Sequence, residues 1–204
     1  IGEKKDIFSV INLEKKNFFT KIKKIIKNKN IQIVINNVGG TLNITNPLTS
    51  YSEYLKVFNI NLGVAVEINN LVLPNMIKNK YGRIVHISSI SSLENQGPPS
   101  YCAAKAALNA YVRSVGRYVS KNNVIMTSIL PGAVLTRGGY WDKKMKTDNS
   151  FVRKYLKERM ASQRFGSCKE ISNFALFLSS KEASFCPGSS FLVDGGQGRV
   201  FNVE

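Results

Sequence analysis

Three residues in the middle of the chain have the types and spacing for proton chemistry on an oxygen. Tyr101 and Lys105 stand four residues apart in the run YCAAKAAL. On a helix, positions i and i+4 share a face, so both side chains address one volume. A phenol with an ordinary pKa near ~10 is a poor acid–base catalyst at neutral pH, and a cation beside it favours the phenolate and draws that pKa toward the working range. Ser89 ends the apolar run GRIVHISS. The carboxyl end of a strand is where open α/β sheets bind ligands, and a hydroxyl there can polarise the same oxygen from the other side. Ser88 is the alternative one residue back. Tyr-x-x-x-Lys alone also describes a solvated helix pair; the Ser-Ser strand end, the short loop and the Ala-rich helix around it give the pair its weight.

Several elements must position these groups. Residues 6–13 alternate enough for a short strand, and residues 14–28 carry Phe18, Ile22, Ile25 and Ile26 at helical spacing with lysines opposite. Residues 31–35 are β-branched apart from Gln32, the pattern of a strand buried on both faces. That strand runs into Asn36-Asn37-Val38-Gly39-Gly40, a turn where backbone approaches something closely and asparagines can brace neighbouring strands. A long helix is expected over residues 52–80, with Leu55, Phe58, Leu62, Val66, Ile68 and Leu71 on its apolar face. It contains Asn61, a residue that on such a helix usually lies at the surface or bends it. Residues 124–130 form another strand, stopped by Pro131-Gly132. Residues 137–163 lose strand character and bring Tyr140 and Trp141 together with Arg137, Lys143, Lys144 and Lys146. A helix through Ile171, Phe174, Ala175 and Phe177 and a last strand at residues 190–194 close the chain.

At 204 residues and 43% hydrophobic composition, one sizeable core in one domain is the default. Cys102, Cys168 and Cys186 are far apart, with no CxxC and only one histidine, so neither a disulfide framework nor a metal site is expected; a reducing cytoplasm fits best. No apolar run approaches the ~20 residues that cross a bilayer, and no charged-then-apolar signal opens the chain, so no membrane partner is expected. A formal charge of +16 invites a nucleic-acid partner, but lysine, asparagine and isoleucine are abundant throughout and the lysines are spread over several helices. Composition is the preferred account, and a positive field would still help capture an anionic cofactor or substrate.

Together these motifs resemble the short-chain dehydrogenase/reductase family, in its 3-oxoacyl-[acyl-carrier-protein] reductase-like branch, over nearly all of residues 6–196. The resemblance implies an α/β fold: a Rossmann-like, doubly wound parallel sheet in three αβα layers. It makes Ser89, Tyr101, Lys105 and Asn61 the catalytic set, Asn61 matching the asparagine that holds a water between the lysine and solvent. It implies NADP or NAD as cofactor and no metal. Asn12 and Leu13 would lie near adenine, Asn37 and the Gly39 backbone near its ribose, and Tyr101 and Lys105 at the nicotinamide ribose. Val134 and Thr136 would meet the carboxamide. The family's turn is usually Asn-Asn-Ala-Gly; Val38 departs from it and should crowd the ribose slightly. Residues 137–163 match a substrate lid, whose cations and aromatics suit an anionic substrate. The ending Arg-x-Gly through Val-Asp-Gly-Gly matches residues 164–166 and 193–196. The family's sheet order, 3-2-1-4-5-6-7, makes residues 6–13 its third strand. The fold would then lack the first two strands, leaving a single, N-terminally incomplete domain over residues 1–204. About 50 residues with a glycine-rich phosphate turn are expected upstream of Ile1. The alanines at 103, 104, 106, 107 and 110 permit close helix pairing, and a homodimer or homotetramer is expected.

The function so implied is hydride transfer between NAD(P)H and a small carbonyl or alcohol substrate, a 3-oxoacyl thioester or a sugar among the options. A nucleotide-sugar epimerase or dehydratase shares the Tyr and Lys. A catalytically silent binding or regulatory protein of the same shape is the third reading.

Overall fold

In the computed structural model, residue 11, residues 18–27 and residues 29–199 are described. The strand expected over residues 6–13 lies, apart from Ile11, outside them. Within the stretch expected to be helical over residues 14–28, helix α1 spans Phe18–Ile26 and lays Ile26 against the core. Strand β1, Ile33–Asn36, leads to helix α2, Tyr51–Phe58, capped by the Ser50 hydroxyl. The single helix expected over residues 52–80 runs from Tyr51 to Lys78 and contains a π turn, Asn59–Gly63, between α2 and α3, Val64–Lys78. By length and composition the run Tyr51–Lys78 could cross a membrane, which corrects the expectation that no run is apolar enough. Its apolar side is spent in the core instead, where Val57, Val64, Val72 and Met76 are buried.

Strand β2, Gly82–Ile87, is followed by α4, Pro99–Val119, which starts with proline at its first position, where no amide hydrogen is needed. Strand β3 spans Val124–Pro131 and β4 Val134–Leu135. The segment after it folds into two short helices, α5, Tyr140–Thr147, and α6, Asn149–Arg159. Strand β5, Gly166–Ser167, pairs with β4 in a small parallel ladder that the sequence did not suggest. Helix α7, Cys168–Leu178, opens on a Ser167/Glu170 capping box, and β6, Ser190–Val193, is the last strand.

The main sheet has the order β1-β2-β3-β6, all parallel. That is the order expected of the last four strands of a doubly wound sheet. Helices α3 and α4 cover one face, where Ile84, Met126, Met76 and Val112 form the larger core cluster; α7 covers part of the other, over Val85 and Ile129. Strand β1 corrects the reading of a strand buried on both sides. Val34 packs into the α3/α4 core, but Ile33 and Ile35 are 49% and 51% exposed. Successive strand residues point to opposite faces, and α7 does not reach across to this edge.

Candidate active site

Tyr101 and Lys105 sit one turn apart at the start of α4, beside the carboxyl end of β2. The Lys105 ammonium reaches over that strand end and donates to the Ile87 carbonyl at 2.8 Å, lying 5.6 Å from the centre of the Tyr101 ring. Burial alone holds its pKa down to about 8. Burial also pushes the Tyr101 phenol above its usual range, with the nearby Ser89 hydroxyl acting in the opposite direction. The expected lowering of the phenol by the lysine is therefore not what this arrangement gives. The ammonium is turned to a backbone carbonyl, and desolvation of the ring outweighs it.

The two serines part company at the strand end. Ser88 is buried with its hydroxyl 3.5 Å from the Lys105 carbonyl, under α4. Ser89 lies on the Tyr101 side, where its Oγ accepts from the Ser91 amide at 3.1 Å and donates to the Ser91 hydroxyl at 3.0 Å.

Asn61 sits in the π turn, 1% exposed, and ties the Asn36–Gly40 turn to the helix. Its Oδ1 accepts from the Gly40 amide at 3.0 Å, and its Nδ2 donates to the carbonyls of Gly40 and Val57, both at 2.8 Å. A Cβ on Gly39 would lie 2.5 Å from Asn61 Oδ1 and 3.1 Å from Lys105 Nζ, so the turn, Asn61 and Lys105 converge on a point only glycine leaves open. A wider π turn aims a side chain that a regular helix would have directed elsewhere.

A second anchor holds the turn from below. Asn36 donates through Nδ2 to Asn69 Oδ1 at 3.1 Å and to His86 Nε2 at 3.2 Å; Asn69 donates to the same nitrogen at 3.0 Å and to the Tyr111 hydroxyl at 3.1 Å. With Nε2 accepting, the ring's proton is on Nδ1, facing the Thr127 carbonyl at 3.2 Å. His86 is fully buried, and desolvation takes its pKa down to about 4. His86 and Asn69 belong to none of the motifs in the sequence. The alternation of Arg83-Ile84-Val85-His86 puts His86 on the Ile84 face, a legible sign of burial, but its partners lie 17 to 50 residues away.

Between the uncovered face of β1 and α7, reaching the carboxyl ends of β2 and β3, opens a cavity of about 790 Å³, lined by Ile33, Ile35, Asn37, Val134, Thr136 and Trp141 among others; Ser89, Tyr101 and Lys105 do not line it. Three of the residues expected at the cofactor, Asn37, Val134 and Thr136, thus line one cavity. Asn12 and Leu13 lie outside the described residues. A second hollow of about 710 Å³ lies between α1 and α3, away from Tyr101.

The sequence matches the family described as enoyl-(acyl carrier protein) reductase over residues 12–197. The chain belongs to the short-chain dehydrogenase/reductase family. Among curated relatives of this short-chain dehydrogenase/reductase is the 3-oxoacyl-[acyl-carrier-protein] reductase of Buchnera aphidicola, 34% identical over 178 residues, which are 86% of this chain and 70% of the relative. The enzyme of the same name from Aquifex aeolicus is 32% identical over 167 residues, 81% of this chain. This chain covers only 65% of that relative's length. A crystal structure of 3-oxoacyl (acyl-carrier-protein) reductase from Agrobacterium tumefaciens C58 with NADP bound superposes with a TM-score of 0.82 at 27% identity. The match covers 91% of this chain and 72% of that one.

Proposed function

We propose that this short-chain dehydrogenase/reductase is an NAD(P)-dependent oxidoreductase that interconverts a carbonyl and an alcohol, with Tyr101, Ser89, Lys105 and Asn61 as its catalytic set. The observation that carries the reading is the convergence of Tyr101, at the start of α4, with the buried Lys105 ammonium that reaches the end of the strand leading to Ser89. With Ser89 at the same strand end, its hydroxyl and the phenol can both hydrogen-bond a substrate oxygen placed there, and a phenol raised by burial keeps its proton at neutral pH for delivery to that oxygen.

The residues present fit the nicotinamide cofactor. The Gly39 position has no room for a side chain, the Lys105 ammonium has no carboxylate partner among the described residues, and Val134 and Thr136 face the cavity with Asn37. Asn37 and the Gly39 backbone would take the adenine ribose, Tyr101 and Lys105 the nicotinamide ribose, and Val134 and Thr136 the carboxamide; Asn12 and Leu13 are assigned to the adenine by resemblance. When bound, the nicotinamide supplies or accepts the hydride. Ser89 orients the substrate oxygen, Tyr101 moves the proton, and Lys105 with Asn61 keeps that proton path charged and connected. Protonated Lys105 is needed for this, so the reduction rate should fall as pH rises through about 8.

The finer assignment is a 3-oxoacyl thioester substrate, after the relatives' names, with residues 137–163 as its lid and NADP the first cofactor to try. Three free cysteines suit a reducing, cytoplasmic setting, and a homo-oligomer remains part of the proposal. Because the matched family is described by enoyl reduction and the relatives by 3-oxoacyl reduction, the test is a side-by-side assay. NADPH and NADH oxidation are followed with a 3-oxoacyl thioester and with the 2-enoyl thioester of equal length. Turnover of the 3-oxoacyl compound is expected; turnover confined to the enoyl compound would overturn the assignment.

A further inference from the structure

One buried side chain outside that mechanism touches three parts of the site at once. Gln197 is 4% exposed and follows the Asp194–Gly196 bend after β6. Its Oε1 accepts from the Ala133 amide at 2.6 Å, and its Nε2 donates to the Tyr155 hydroxyl at 2.5 Å and to Gln96 Oε1 at 3.5 Å. Ala133 belongs to the turn that delivers Val134 and Thr136 to the cavity. Tyr155 is on α6, and Gln96 is in the loop leading to Tyr101.

The fit at the turn is close. A Cβ on Gly132 would stand 2.7 Å from Gln197 Oε1 and 2.7 Å from the Asp194 carbonyl, so glycine there admits the amide. Asp194 builds the bend that presents it, accepting from the amides of Gly196 at 3.0 Å and Gly198 at 2.7 Å. On the lid, Trp141 packs on Tyr155 with ring centres 4.3 Å apart and on Phe165 at 4.9 Å, and it also lines the cavity. A buried amide with both ends bonded is a fixed peg, since leaving either end unpaired in the interior is unfavourable.

We propose that Gln197 is a positioning residue that locks the α5–α6 lid to the Gly132–Ala133 turn and so sets the width of the substrate pocket. This rests on the reading of residues 137–163 as the lid. Trp141 is the only tryptophan in the chain, so its fluorescence reports the lid directly.

The test uses Gln197→Met, which keeps length and loses the amide, and Tyr155→Phe, which keeps the ring on Trp141 and loses the hydroxyl. Both variants are made in the full-length protein. Each is expected to raise acrylamide quenching of Trp141 by about twofold and KM for the carbonyl substrate by about tenfold, with a much smaller change in kcat. The double variant should be no worse than either single one, because both break the same link. Gln197→Glu should recover most of the effect, its carboxylate accepting from the Ala133 amide and from the Tyr155 hydroxyl. Lowered melting temperature with unchanged quenching and KM, or additive effects in the double variant, would reduce Gln197 to a packing residue and overturn the proposal. If the wild type turns over no carbonyl compound, the reaction assignment fails by itself, and the quenching of the variants still decides the link.

Discussion

The two faces of the sheet are built to different standards. On the α3/α4 face, Ile84, Met76, Val112 and Met126 are sealed, and even the polar groups there, Asn36, Asn69 and His86, find partners among themselves. On the α7 face, Val85 and Ile129 are covered, but Ile33 and Ile35 stand half exposed along the wall of the cavity. The groups assigned to proton transfer hang from the sealed side, on α4 and the π turn. Of the groups assigned to the cofactor, Asn37, Val134 and Thr136 line the cavity of the open side, while Gly39, Tyr101 and Lys105 sit with the proton-transfer set. The sealed side meets the stricter need: proton-transfer groups must be held within fractions of an ångström, and a face closed by α3 and α4 holds them there.

The contrast can be tested hardest at Tyr101. Tyr101→Phe removes the proton carrier and is expected to cost ~10³-fold in turnover with cofactor affinity nearly unchanged, read by steady-state rates and by NADPH fluorescence titration. Next comes the packing itself. Ile84→Ala on the sealed face should cost ~3 kcal/mol in denaturant unfolding and Ile35→Ala on the open face less than ~1 kcal/mol; equal losses would erase the distinction. His86 gives a pH readout of the sealed face. Its folded pKa, about 4, lies below the ordinary 6.5, so its contribution is complete above pH 6.5 and is lost as pH falls toward 4. The loss should be on the order of 3 kcal/mol, and His86→Asn should flatten that slope in unfolding curves taken across the window. The smallest effect is expected where the faces meet. Gly39→Ala pushes a methyl against Asn61 and Lys105 and should weaken NADPH binding ~10-fold while leaving the melting temperature within a few degrees.

Much of this was legible in the chain before its shape. Tyr101 and Lys105 followed from helical spacing, Ser89 from its place after an apolar strand, and the Asn36–Gly40 turn from glycines after a β-branched run. The choice between Ser88 and Ser89 was not legible, since a one-residue shift reverses which side of the strand end a hydroxyl takes. His86 and Gln197 escaped for another reason. Their roles depend on partners such as Asn36 and Tyr155, brought near only by the sheet and the lid, and no local pattern marks them. The uncovered side of β1 escaped too, because a buried-strand pattern reports what a strand can bury and says nothing of what lies over it.

The π turn at Asn59–Gly63 carries a consequence for how this sequence can change in length. A π turn carries one residue more than an α turn through nearly the same rotation, so deleting one residue here would wind the stretch into regular α-helix and leave α3 facing as it does. The stripe of Val72 and Met76 would stay in the core, while Asn61 would lose its aim at Gly40. An insertion in the stretch 43–49 would be absorbed locally as well. The extra residue of the turn thus serves the aim of one asparagine, and its loss would show at the site with little trace in the stability of the fold.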